Sequence, residues 1–296
     1  MHQEPIGILS LLGAAMLWGT CGTAQTFAPP GFDPMVVGMM RIAIGGTALM
    51  VFALLRQELG SLSDWPIKWT LLGAGSVAAF QLFFFEAVHQ AGVAVGTIVG
   101  LGSAPVIAGV LSLLVFGERP GRRWWIATFL AINGCSLLTL AGQRMNASFS
   151  PVGLLLAIAA GASYALYALS VKQLVARQSS LAVMAVLGCL GALMLVPIPI
   201  LVEGDFSWIF GVRGGGVVIY LGLFSYALPM FLFAYGLSVT PVPTAVTLTL
   251  AEPLTAGLLG VLVVGEYLTG TAWCGLFLLL CGLFLLAFPW RKSKYS

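Results

Sequence analysis

Long apolar runs, each closed by a short cluster of charged, Gly or Pro residues, follow one another along the whole chain. Ten can be counted, at residues 6–25, 34–55, 69–88, 93–116, 123–141, 151–171, 181–202, 214–238, 242–264 and 270–288. Each is about 20 residues long, the length that a helix rising ~1.5 Å per residue needs to cross ~30 Å of hydrocarbon. The pattern predicts ten transmembrane helices. The first run is N-terminal and contains small residues, so it must be weighed against a cleaved signal peptide. The preceding MHQEP has no basic region, and segment 14–21 has a counterpart in the sixth run, where Tyr164 is set against Trp18. The run is therefore expected to remain as the first helix.

The polar and small positions recur too. Segment 93–134 returns in degenerate form 148 residues later. Pro105, Gly117, Glu118, Trp125 and Gly134 meet Pro253, Gly265, Glu266, Trp273 and Gly282, with further matches at Ala, Leu, Val and Phe positions. Shared Leu and Val follow from composition, but paired prolines, Gly-Glu dipeptides and tryptophans do not. The copies form an internal repeat. It divides the chain at 1–145 and 146–296, with five helices in each part and a single integral membrane unit overall.

Composition fixes the solvent: with 59% hydrophobic and 8% charged residues among 296, the chain has too little polar surface to cover a water-soluble globule. The five cysteines, Cys21, Cys135, Cys189, Cys274 and Cys281, all fall inside the runs at no metal spacing and read as small apolar residues. Charge gives orientation. Arg56, Lys68, Arg119, Arg122, Arg123, Lys172, Arg177, Arg291, Lys292 and Lys294 fall on the side carrying the N-terminus, and only Arg144 and Arg213 on the other. By the positive-inside rule both termini are expected in the cytoplasm. Five helices per copy is an odd number, so the second copy enters the membrane in the opposite sense. The expected fold is an all-α integral membrane protein of ten transmembrane helices arranged as two inverted five-helix repeats, a layout of secondary transporters with a midplane site between the halves.

Leu17-Trp18-Gly19 in the first run, Arg41 in the second, and the segment from Ser103-Ala104-Pro105 to Gly117-Glu118-Arg119 with its echo from Ala251-Glu252-Pro253 to Gly265-Glu266 resemble the drug/metabolite transporter superfamily, EamA type. Within it the chain looks most like the bacterial amino-acid exporters of the YddG kind. That resemblance implies a ten-helix carrier in the bacterial inner membrane, a central cavity lined mainly by helices one, three, four, six, eight and nine, and outward movement of small metabolites. One departure stands out: the second Gly-Glu is followed by Tyr267 where the first is followed by Arg119.

Mid-span prolines supply polar atoms without side-chain charge, because each removes an N–H and leaves the carbonyl four residues earlier without its helical donor. Pro105 is expected to free the carbonyl of Leu101, Pro253 that of Thr249 and Pro229 that of Ser225. Pro229 aligns with Gln81 across the repeat. A kink that improves packing and a cavity wall are both open readings for any one proline; their symmetric pairing favours the cavity. Around them, stripes at helical spacing hold Ala14, Trp18 and Cys21 in the first run, Ser163, Tyr167 and Ser170 in the sixth, and Thr249, Glu252 and Thr255 in the ninth; Trp18, Tyr164 and Tyr167 lie some way inside their runs, where a wet or protein-lined surface suits their rings better than lipid. Single Ser and Thr residues more often bond back to their own helix. Small residues spaced by four, Ala108 with Ser112 and Ala256 with Gly260, are expected to pack helices closely.

Ionisable residues inside the runs are few: Arg41, Glu86 with His89, and Glu252. Each costs roughly 2.5–3.5 kcal/mol if unpaired at a helix centre, so each needs a protein-lined or wet location. Glu86 and His89 share a face near one end of the third run and read either as a proton-responsive pair or as a solvated helix end. Arg41 is close enough to the outer surface to snorkel and reads as structural. Glu252, near mid-span beside Pro253, is the sharpest functional residue, as a titrating carboxylate or as a neutral hydrogen-bonded one.

Catalysis finds no support: the only histidines are His2 and His89, and no HExxH occurs. A passive channel stays open, though rings of charge are absent. No metal or organic cofactor and no nucleic-acid partner are expected, the lipid bilayer and a small-molecule substrate are, and a monomer is favoured. A phosphorylated cargo would ask for Lys or Arg at the midplane, where the runs offer none, so the substrate is expected to be small and net-neutral. Freed carbonyls with the hydroxyls of Ser163 or Tyr167 would receive an ammonium, and aromatic walls would accept varied side chains. Amino acids, and export, rest on the resemblance; amphipathic cations or drugs are the alternative.

Overall fold

The ten apolar runs form ten helices. The computed structural model describes residues 3–141, 150–195 and 205–288. In order, the helices are α1 (Gln3–Gln25), α2 (Pro34–Leu55), α3 (Ile67–Gly92), α4 (Val95–Phe116), α5 (Arg122–Ala141), α6 (Pro151–Val175), α7 (Ser180–Leu195), α8 (Val212–Val239), α9 (Val242–Val264) and α10 (Gly270–Ala287). Nine are long and apolar enough to cross a membrane; α7 is shorter over its described part. Residues 196–202, which the seventh run assigns to it, lie outside the described residues, as do His2, Arg144, Arg291, Lys292 and Lys294.

Helix ends follow from their end residues. Ser150 caps α6 by accepting the amide of Gly153 at 3.1 Å, and Thr269 caps α10 by accepting that of Ala272 at 3.3 Å. The recurring Gly-Glu dipeptides have a structural meaning. Gly117 and Gly265 both stop their helices in the left-handed conformation, with φ of 68° and 80°, where a side chain would be strained. Each following glutamate turns back on its own helix: Glu118 accepts the hydroxyl of Ser112, and Glu266 lies against Gly260, the residue equivalent to Ser112.

Packing obeys the repeat. Helix α1 packs on α8 and α9, and its equivalent α6 on α3 and α4; α2 packs on α7, and α5 on α10. Exchanging each helix with the one five places later returns the same set of pairs, the signature of an inverted repeat. The α5–α10 seam is reciprocal at residue level. A Cβ on Gly134 would come within 2.6 Å of the Gly275 carbonyl oxygen, and one on Gly282 within 2.6 Å of the Ala127 carbonyl oxygen, so only glycine permits the approach. Shifted by the repeat, these are one contact made twice. The spacing expected to pack helices contributes less evenly: Ala108, Ser112 and Gly260 are buried, but Ala256 is exposed.

Candidate functional site

Two helices are broken near mid-length, and each break sits beside a proline. In α8, Leu223–Ala227 is one turn of π-helix, with the Leu228 amide reaching back to the Leu223 carbonyl. Pro229 follows and has no N–H to offer Ser225. The Ser225 carbonyl is instead taken from α2: Arg41 donates to it from Nε at 3.2 Å and from Nη2 at 2.9 Å. In α9 the helix stops at Leu248 and resumes at Ala251. The Thr249 carbonyl, expected to be free, accepts the Glu252 amide at 3.0 Å, because the tight turn at the break brings that N–H within reach.

Between these breaks lies a cavity of about 230 Å³. Trp18 of α1, Leu101 of α4, Tyr164 and Tyr167 of α6, Tyr226 and Met230 of α8, and Thr249 and Glu252 of α9 border it. Helix α3 contributes Phe80, Gln81 and Phe84, and α2 contributes Arg41. All six helices implied by the resemblance take part, with α2 as an addition. Among the bordering residues one cation and one carboxyl group occur, Arg41 and Glu252. Tyr226 lies beside the guanidinium, its ring centroid 6.0 Å away.

The floor, formed by Trp18, Tyr164 and Tyr167, is backed by a further aromatic ring. Phe233 is fully buried and packs against Trp18 at 5.5 Å and against Tyr164 and Tyr167 at 6.2 Å between ring centroids. The Tyr164 hydroxyl donates to Thr249 Oγ1 at 3.2 Å, tying α6 to the break in α9. Beyond the floor the bundle is tied shut. Lys172 donates to the carbonyls of Leu237 at 2.6 Å and Thr240 at 2.9 Å, holding α6 to the α8–α9 turn. Glu118 accepts the Val242 amide at 3.2 Å, holding α4 to the start of α9. At the opposite end the equivalent Glu266 is exposed, and its carboxylate has no hydrogen bond among the described residues. The cavity lies toward that end, reaching Phe84 and the half-exposed Phe85 in the last turns of α3.

Of the residues singled out in the sequence, Trp18, Gln81, Tyr164, Tyr167, Thr249 and Glu252 come together at the cavity. Ser163 does not border it; its hydroxyl donates back to the Ala159 carbonyl at 2.8 Å, the usual fate of a helical serine. Ser225 takes part through its carbonyl, while its hydroxyl is buried without a partner among the described residues. Pro105, Pro229 and Pro253 do not border the cavity and act only through the backbone they interrupt. Glu86 and His89 lie outside it on an exposed end of α3, with Oε1 and Nδ1 4.0 Å apart and Glu86 also accepting from Gln90 at 2.6 Å. Arg41, read as structural, is at the cavity. Its signal was the charge itself, eight residues into an apolar run. Phe80 and Phe84 were legible as one helical stripe with Gln81, but Phe233 and Tyr226 had no signal beyond hydrophobicity. Among the described residues no group of three His, Cys, Asp or Glu gathers to hold a metal.

With this geometry in place, comparison with known proteins is informative. The sequence pattern of the EamA-like transporter family matches the chain twice, over residues 5–140 and 151–288. The uncharacterized transporter YwfM of Bacillus subtilis (strain 168) is 42% identical over 286 residues, covering 97% of this chain and 95% of that protein. The threonine/homoserine exporter RhtA of Escherichia coli (strain K12) is 28% identical over 273 residues, covering 90% of this chain and 85% of that one. A solved crystal structure superposes with a TM-score of 0.80 at 21% identity, covering 94% of this chain and 95% of its own, which is a likeness of fold.

Proposed function

The chain belongs to the EamA-like transporter family, and from that premise we propose that it is a secondary transporter exporting small net-neutral amino acids, aromatic ones included, by alternating access through the central cavity. The observation that carries the reading is the content of that cavity: one guanidinium, one carboxyl group, the amide of Gln81, the thioether of Met230 and otherwise aromatic, aliphatic and hydroxyl-bearing walls. A zwitterion matches both charges at once, and apolar walls tolerate varied side chains. The exclusion of strongly anionic cargo now stands on Glu252, which opposes Arg41 in the same space. The alternative, export of amphipathic cations, draws on Glu252 and the aromatic rings but must place a cation beside Arg41. Closure beyond Phe233 speaks for a carrier over a passive channel.

Kinship with exporters of the YddG kind is part of the same proposal and draws on the features around Trp18, Pro105 and Pro253; the similarity to a threonine/homoserine exporter supports amino-acid cargo. We take 1–145 and 146–296 as the halves that rock, since the family pattern matches once within each. The basic residues Arg56, Lys68, Arg119, Arg122, Arg123, Lys172 and Arg177 support a bacterial cytoplasmic membrane location with that end of the bundle inside. The test is counterflow in proteoliposomes. Labelled threonine, methionine or phenylalanine is expected to accumulate saturably against an internal unlabelled pool and to be blocked by other amino acids. Movement of a lipophilic cation while amino acids neither move nor compete overturns the assignment, and a flux without counterflow makes the protein a channel.

A further inference from the structure

We propose that Arg41 selects the substrate by its carboxylate: its guanidinium, which bonds the Ser225 carbonyl, transfers N–H bonds to the α-carboxylate of a bound amino acid. This rests on the reading of the cavity as an amino-acid site and adds to it which residue separates amino acids from the amines that share their side chains.

Three observations lead there. First, the guanidinium is under-used. It carries five N–H donors in a planar fork suited to two oxygens, yet Nε and Nη2 converge on the single Ser225 carbonyl, and Nη1 meets only the Cys21 sulfur, a weak acceptor, at 3.6 Å. A carboxylate offers the two oxygens the fork is shaped for, and charge-assisted bonds are about twice as strong as neutral ones. Second, Arg41 lies within the span of α2 and has no ion pair with a carboxylate among the described residues. An arginine held there at the cost of desolvation bonds only a neutral oxygen and a thiol, beside the Tyr226 ring, and no carboxylate hydrogen-bonds it among the described residues. Third, it borders the cavity, where Glu252 provides the opposite charge for an ammonium.

The acceptor it rests on is specific to this fold. Ser225 has a carbonyl to spare because Pro229 lacks an N–H and the α8 turn is π-helical. A neutral carbonyl holds the arginine in place without competing strongly with an incoming carboxylate. Bound amino acid would therefore exchange one arginine partner for a better one, whereas phenethylamine or phenylalaninol offers no anion and leaves the arginine where it is.

The experiment uses the full chain in proteoliposomes, with phenylalanine, phenylalaninol and phenethylamine competing against labelled phenylalanine in counterflow. Binding to the detergent-purified protein is read in parallel from the ligand-induced shift in unfolding temperature. The unaltered protein is expected to favour phenylalanine over phenylalaninol by roughly tenfold or more, the worth of a hydrogen bond to a charged group. Arg41→Gln is expected to lower phenylalanine affinity by that factor while leaving phenylalaninol within about twofold, so that discrimination collapses, and Arg41→Lys to fall between. Equal affinity of the unaltered protein for phenylalanine and phenylalaninol overturns the inference even if no variant folds. Retention of the full preference in Arg41→Gln also overturns it. If the unaltered protein neither binds nor moves any amino acid, the reading of the cavity fails and this inference with it.

Discussion

Phe233 joins stability to the cavity, because its ring packs behind three of the aromatic residues that line it. It is fully buried between Trp18, Tyr164 and Tyr167, so Phe233→Ala is expected to cost about 3–5 kcal/mol, read as a lower unfolding temperature of the detergent-purified protein. Phe233→Leu, which keeps most of the volume, is expected to cost much less. Charge acts differently. Glu252→Gln preserves shape at the cavity wall and removes the carboxyl group that borders the cavity with Arg41; amino-acid affinity in counterflow is expected to fall roughly tenfold. Any dependence of transport on a pH gradient that Glu252 carries is expected to vanish with it, while Glu86→Gln, outside the cavity, leaves transport unchanged. The sequence made Trp18, Tyr164, Tyr167, Thr249 and Glu252 legible because amphipathic or polar side chains deep in apolar runs need a non-lipid surface. That Arg41 turns inward was not legible, because depth along a helix does not say which way a long side chain turns, and a snorkelling arginine and an inward one have the same sequence.

At the scale of elements, the ten helices were readable from run length alone, since the bilayer demands that length whatever the packing. The breaks were half readable. Pro229 rightly implied a spare carbonyl at Ser225, but the same rule misjudged Thr249, whose carbonyl the Glu252 amide takes across the tight turn. A π-helical turn could not be read, because it preserves the apolar pattern and changes only hydrogen-bond register. The break gives a prediction: Pro229→Ala supplies an N–H that competes with Arg41 for the Ser225 carbonyl. Amide exchange across residues 223–230 is expected to slow, as the π-turn gives way to continuous α-helix, and hydrogen–deuterium exchange read by mass spectrometry checks it. Unchanged exchange there would mean that the turn is set by packing and not by the missing donor.

Across the whole molecule, closure is concentrated at one end, where Lys172 and Glu118 hold α6 and α4 to the α8–α9 turn. A double variant, Lys172→Met with Glu118→Gln, is expected to shift the population toward opening there. The measure is labelling of a cysteine placed at the fully buried Ala245, in a background without the five native cysteines; labelling is expected to speed up several-fold, on the order of what about 1–2 kcal/mol of lost restraint gives. The seam between α5 and α10 carries a different consequence, one of ancestry. A contact in which Gly134 meets Gly275 and Gly282 meets Ala127 is self-complementary, the kind that two identical chains make across a twofold axis. A gene half this length, translated into subunits that insert in both directions, would already encode this interface. Duplication and fusion would then have fixed one copy in each direction, and the present imbalance of lysine and arginine would be the later mark of that choice. Co-expressed as two polypeptides, residues 1–145 and 146–296 are accordingly expected to find each other and restore exchange, and Gly134→Leu in the first is expected to abolish their co-purification.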